Sequence, residues 1–230
     1  MTVPTLEEYQ EQAGRNLLLM SRTAKGILDL GASADKGAKI VPGLDAEGAA
    51  ELARLNLEMA VEYAFEGRHE IGFVTCPQSL RFVIETLAQK VNRGILRDGC
   101  LFRGGADSDK YLYTRVADLE RAMQRFYYNL HQQIRSGADA ITLAALAEWH
   151  IDMRDHFFAD GCGKAAKMAS AWLLMRANTA LPDYTMGGGL PANLARVEYL
   201  SHRPRQIPGE HPAQDELDYR HFLDYYRSLF

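Results

Sequence analysis

Long segments rich in Ala, Leu, Glu and Arg run through most of this chain, separated by short loops of Gly, Ser, Asp and Pro, while Val, Ile and Thr are sparse. Straight-chain residues lose little rotamer freedom in a helix, and the β-branched residues that strands favour are scarce. The pattern predicts an all-α fold. With 230 residues and 47% hydrophobic content, the chain is long enough to bury one substantial core and too apolar to remain disordered.

Periodicity and breakers divide the chain. Residues 5–30 form a first amphipathic stretch with Leu17, Leu18, Ile27 and Leu30, and residues 31–43 read as a loop. Asp45 is placed to cap a helix from Ala46 to Ala64, and Ser79 to Asn92 reads as another helix. Glycines then cluster at 94, 99, 104 and 105, followed by a Tyr- and Leu-containing run from Lys110 to Thr114. That run predicts one small β-hairpin, over 107–114. Helical spacing resumes over 117–136 and 141–157, and again from Lys164 to Asn178 after a turn at Asp160 to Gly163. Residues 182–195 and 202–213 are loop-like, and Asp215 to Leu229 is a final amphipathic helix.

The charge balance narrows the partners. Lys and Arg number 26 against 30 Asp and Glu, a net charge of −4, which argues against a general nucleic-acid binder. Three cysteines, at 76, 100 and 162, without C-x-x-C spacing suit a reducing compartment better than a disulfide framework. The start lacks a basic stretch followed by an apolar run, and no apolar run approaches the ~18 residues of a membrane span. The expectation is a cytoplasmic protein with no membrane partner, and delivery by a specialised secretion apparatus is compatible with it.

Chemistry concentrates in residues 156–167, HFFADGCGKAAK. A helix ends near His156, the chain turns through Asp160-Gly161-Cys162-Gly163, and a new helix opens at about Lys164. Helix-start amides and the positive end of the helix dipole attract anions. Two glycines allow a phosphate to approach the backbone closely. Lys164 and Lys167 share a helix face and add charge. Asp160 is a hard oxygen ligand suited to Mg²⁺, and His156 is a titratable base at the edge of the cradle. Each residue also has a plainer reading: Asp160 as a helix cap, the lysines as a solvated face, His156 as a structural helix end. The segment is not a P-loop, because Phe158 and Ala165 stand where that motif needs Gly and Ser or Thr.

The segment resembles the active-site motif of the Fic (Fic/Doc) family, H-x-F-x-[D/E]-G-N-G-R-x-x-R. His156, Phe158, Asp160, Gly161 and Gly163 match, while Cys162 replaces Asn and Lys164 and Lys167 replace two arginines. Upstream, Gly99-Cys100-Leu101-Phe102-Arg103 is similar to the family's G-x-[YF]-R element, and the expected hairpin falls where family members carry a β-hairpin flap. The resemblance implies a Fic-like helical bundle over residues 61–200, with a helical extension at 1–60 and a packed loop and helix at 201–230.

By that resemblance the activity would be Mg²⁺-dependent transfer of AMP, or another phosphate-containing group, from a nucleotide such as ATP to a Ser, Thr or Tyr hydroxyl of a protein. His156 would deprotonate the hydroxyl and Asp160 would hold Mg²⁺. The amides of Gly161, Cys162 and Gly163 would cradle phosphate oxygens, with Lys164 and Lys167 beside them. Lys110, Tyr111, Leu112 and Tyr113 of the flap would pin the target segment by strand pairing. A homodimer is one expectation, since family members often pair. The alternative is a degenerate domain that binds nucleotide or a partner protein without turnover, because lysine lacks arginine's two-pronged grip on phosphate. Glu66-Gly67 resembles the end of the family's inhibitory helix, which implies that Glu66 pairs with Lys167 and restrains the site. Cys162, a thiol at a helix start beside two lysines, would be open to a lowered pKa and oxidation.

Overall fold

The computed structural model describes residues 3–23, 39–105, 113–159, 161–184 and 212–230. Among these the chain forms seven α-helices and no strand: α1 (Leu6–Thr23), α2 (Ala46–Glu66), α3 (Pro77–Val91), α4 (Leu119–Arg135), α5 (Ala140–Glu148), α6 (Cys162–Arg176) and α7 (Pro212–Arg227). The fold is all-α. The expected flap residues Lys110, Tyr111 and Leu112 lie outside the described residues, as does Asp160.

The helix starts follow from their sequences. Thr5 and Glu8 cap α1 reciprocally: the Thr5 amide donates to Glu8 at 2.7 Å and the Glu8 amide to the Thr5 hydroxyl at 3.2 Å. The Asp45 carboxylate accepts from the Gly48 amide at 2.8 Å and so caps α2. Pro77 opens α3, where its missing N–H costs nothing. Asp139 caps α5, accepting from the Thr142 amide at 2.9 Å.

α6 runs through the middle of the molecule, with α2, α3 and α5 packed against it. Its small residues Ala165, Ala166 and Ala169 are fully buried, which lets neighbouring helices approach closely. α4 is amphipathic, burying Ala122, Met123, Phe126 and Leu130 at helical spacing. Among the described residues the larger of two apolar clusters runs from Tyr9 and Ala13 of α1 to Phe222 and Tyr226 of α7, and Ile40 and Ala49 form the smaller one. α7 packs on α5, and the Phe222 ring lies 5.4 Å from that of Trp149. Burial of each such large side chain contributes roughly 1.5–3 kcal/mol. No described helix is long and apolar enough to cross a membrane.

One expected helix is interrupted. The stretch 141–157 reads as a single helix, but α5 ends at Glu148 and residues Trp149–Arg154 form a wider π turn. The amides of Asp155 and His156 both donate to the His150 carbonyl, at 3.1 and 3.3 Å, and the Phe157 amide donates to Ile151 at 3.2 Å. These longer-range bonds fit an extra residue into the turn, a distortion frequent at functional sites. The chain leaves it through His156, which takes the left-handed conformation at φ 55.

Candidate functional site

The π turn delivers His156 to a short stretch of paired backbone. The Arg103 amide donates to the Phe157 carbonyl at 3.0 Å, and the Ala159 amide donates to the Leu101 carbonyl at 2.9 Å. Phe102 and Phe158 face each other as an antiparallel bridge. The Arg103 guanidinium closes the arrangement: Nε donates to the His156 carbonyl at 3.0 Å, and Nη2 donates to the carbonyls of Thr114 and Asp155. The two sequence elements singled out upstream and downstream, 99–103 and 156–167, therefore meet in space.

The orientation of His156 fixes its tautomer. Nδ1 lies 3.0 Å from the Asp152 carbonyl oxygen. A carbonyl can only accept, so Nδ1 carries the proton and Nε2 is the basic nitrogen of the neutral ring. The ring stacks on Tyr113, which with Thr114 is the described end of the expected hairpin, with centroids 4.1 Å apart and planes 12° from parallel.

The helix beyond the loop begins two residues earlier than its sequence suggests. α6 starts at Cys162, with Gly161 in the left-handed conformation at φ 63 as its cap. The amides of Cys162, Gly163 and Lys164 thus form its first turn, the part of a helix that lacks internal acceptors and attracts anions. The glycine at 161 is required twice over: a Cβ there would stand 2.5 Å from Asn92 Oδ1 and 2.8 Å from Lys164 Cε.

Cys162 corrects an expectation. The residue is buried, and its thiol is no exposed redox centre. The sulfur accepts from the Phe158 amide at 3.2 Å and donates to the Phe158 carbonyl at 3.1 Å, closing the loop 158–162 on itself.

The two lysines have different surroundings. Lys164 folds its stem over Gly161, and its Nζ is buried. Lys167 does not pair with Glu66, which is exposed at the end of α2. Its Nζ donates instead to Glu148 at 2.6 Å and lies 4.0 Å from the Tyr184 ring centroid. The Tyr184 hydroxyl donates to the other Glu148 oxygen. Burial, with the Glu148 charge adding to it, pushes the Tyr184 hydroxyl well above its ordinary pKa and keeps it a neutral donor. The reason for the correction is position: Glu148 sits on α5 directly against α6, 1% exposed and in need of a cation. Beside the lysines is a cavity of about 30 Å³, bordered by Asn16, Leu57 and Tyr184, which is room for a water and not for a nucleotide.

Asp155 and Glu148 are the residues that sequence reasoning passed over. Asp155 is fully buried and is bonded by the Thr114 hydroxyl, by His150 Nδ1 at 2.6 Å and by Arg154 at 2.8 Å. Burial alone would raise its pKa, but the bond and charge of His150 and the charge of Arg154 outweigh it and hold the carboxyl below its ordinary value. Arg154 reaches on to Asp215 of α7 at 3.0 Å. A signal for Glu148 was present, since it is the one charged residue of AITLAALAE.

The scan of protein-family models and the search of curated proteins found no match to this chain. Among solved structures the chain is similar to a crystal structure of IbpAFic2. The similarity has a TM-score of 0.48 and 13% sequence identity, covering 98% of this chain and 69% of that one.

Proposed function

We propose that this chain is a Fic-type transferase that moves AMP, or another phosphate-containing group, from a nucleotide to a protein hydroxyl. The observation that carries the reading is the placement of His156. Its proton is tied on Nδ1 by the Asp152 carbonyl, and a closed loop links it directly to the first turn of α6. In this reading Nε2 of His156 takes the proton of the incoming hydroxyl. The amides of Cys162, Gly163 and Lys164 hold the phosphate oxygens, aided by the helix dipole and by Lys164. Arg103 and the stacked Tyr113 hold the base in place. Asp160 would hold Mg²⁺, which would supply neutralising charge for the phosphates. Asp160 lies outside the described residues, and those residues hold no cluster of three or more metal-ligating side chains.

A second reading, nucleotide binding without turnover, has one observation in its favour. Lys167, at the position of the motif's second arginine, is committed to Glu148 and is not spare for a phosphate.

Intact mass spectrometry after incubation with ATP and Mg²⁺ separates the two, with wild type, His156→Ala and Lys164→Ala side by side. An AMP-sized adduct on wild type and none on His156→Ala is the expected result. An undiminished adduct on His156→Ala removes His156 as base. No adduct, with ATP binding that Lys164→Ala weakens, moves the conclusion to the second reading. Neither adduct nor binding overturns both.

A further inference from the structure

The wide turn at Trp149–Arg154 presents Asp152 to two parts of the site at once. Its backbone carbonyl holds the proton of His156 Nδ1 at 3.0 Å, and its carboxylate Oδ1 lies 3.9 Å from the same nitrogen. The carboxylate also faces the start of α6: a Cβ at Gly163 would meet Oδ2 at 3.5 Å and Oδ1 at 3.8 Å. The Asp152 side chain is 12% exposed and that of His156 25%, so water screens the pair less than it would at the surface.

The other charged and titratable groups around His156 are differently placed. Arg103 spends its guanidinium on the carbonyls of His156, Thr114 and Asp155. Asp155, next in the chain, is held by Thr114, His150 and Arg154. Tyr113 offers the face of its ring, and Lys164 stands in the first turn of α6 with its Nζ buried. Among the described residues Asp152 carries the carboxylate nearest to a ring nitrogen of His156.

We propose, on the reading of His156 as the base, that the Asp152 carboxylate is a positioning group for it and stabilises the imidazolium that transfer creates. In the step, the hydroxyl proton passes to Nε2. The hydroxyl oxygen keeps its electron pair for the new bond to phosphorus, and the leaving group departs with the pair of the bond that breaks. The ring, neutral before, is then a cation with Nδ1–H directed to the Asp152 carbonyl. An opposite charge within about 4–6 Å favours the charged form of a group. The carboxylate thus makes Nε2 a stronger base, while the carbonyl alone sets the tautomer.

The test uses the full chain labelled with ¹⁵N in its histidines, with the His156 ring signals assigned by their loss in His156→Gln. Each protein is titrated with pH, and adduct formation from ATP and Mg²⁺ is followed over the same range. Asp152→Asn keeps the backbone carbonyl and the outline of the side chain. It is expected to move the midpoint of the His156 titration down by about one pH unit, a tenfold weaker hold on the proton. Asp152→Glu, which keeps the charge, is expected to return most of the loss. The acid limb of adduct formation should follow the midpoint in each protein, since the base must begin neutral. Should Asp152→Asn not fold, Asp152→Ser carries the same comparison. An unchanged or raised midpoint without the carboxylate overturns the inference, as does an equal fall with Asp152→Glu, which assigns the effect to packing and not to charge. A lowered midpoint with no adduct on any protein supports the pair and counts against the transferase reading alone. An adduct on wild type with an unmoved midpoint in Asp152→Asn counts against the pair alone.

Discussion

Two glycines at the start of α6 face opposite constraints. Gly161 holds a positive φ of 63 with Asn92 Oδ1 against it, whereas a Cβ at Gly163 would meet Asp152 Oδ2 at 3.5 Å, an ordinary contact. Left-handed backbone costs a side-chain-bearing residue roughly 1–2 kcal/mol, before the clash is counted. Gly161→Ala is expected to lose about 2 kcal/mol or more of stability. Gly163→Ala, inside α6, is expected to stay within about 0.5 kcal/mol of wild type, because a helical alanine is the better helix former. Urea unfolding of the two variants checks the contrast. The same geometry explains why Cys162 is tolerated between them: it needs no positive φ, and its sulfur faces inward to the Phe158 backbone.

Among elements, α5 and α6 are joined by a buried ion pair as well as by apolar contact. Removing one partner of such a pair strands a charge, while removing both is often neutral. Glu148→Gln is expected to cost about 3 kcal/mol. Adding Lys167→Met should restore most of the loss, as thermal and urea unfolding would show. Most elements at this scale were legible in the sequence, because Asp45 and the spacing of α4 each state a local rule that the fold obeys. The π turn was not read. Buried Trp149, Ile151 and Met153 alternate there with less buried His150, Asp152 and Arg154. That period of two breaks the helical spacing of α5, but it is short and was absorbed into its neighbour. The pairing of Lys167 was misassigned for another reason. A one-dimensional motif offers Glu66 as a partner, and only packing decides that Glu148 is the nearer one. Of the candidate site, the glycine turn and a helix following it were legible in local chemistry, with the start two residues off, whereas Asp155 owes its surroundings to contacts from Thr114, His150 and Arg154 together.

Across the whole molecule, Asp155 ties together chain segments far apart in sequence: Thr114 before α4, the π turn, and through Arg154 the Asp215 end of α7. Its carboxyl is held below the ordinary value of 3.8. A lowered folded pKa adds stability that is fully present above the unfolded value and is lost as the pH falls through the folded one. Asp155→Asn is therefore expected to unfold about 3 kcal/mol more easily at neutral pH. The gap to wild type should narrow only once the pH drops below about 4. Urea unfolding in series from neutrality into acid checks both the size and the direction. The wide turn at Trp149–Arg154 bears on how such a chain can change by descent. It fits one residue more than a regular helix would hold, and His156 owes its direction to that surplus. Deleting one residue there would let α5 continue as an ordinary helix with His156 facing nearly the same way, whereas straightening the turn at its present length would swing His156 by about 100° around the axis. Over this stretch the number of residues and the width of the turn are linked, so a one-residue gap between lineages is expected here to go with loss of the wide turn.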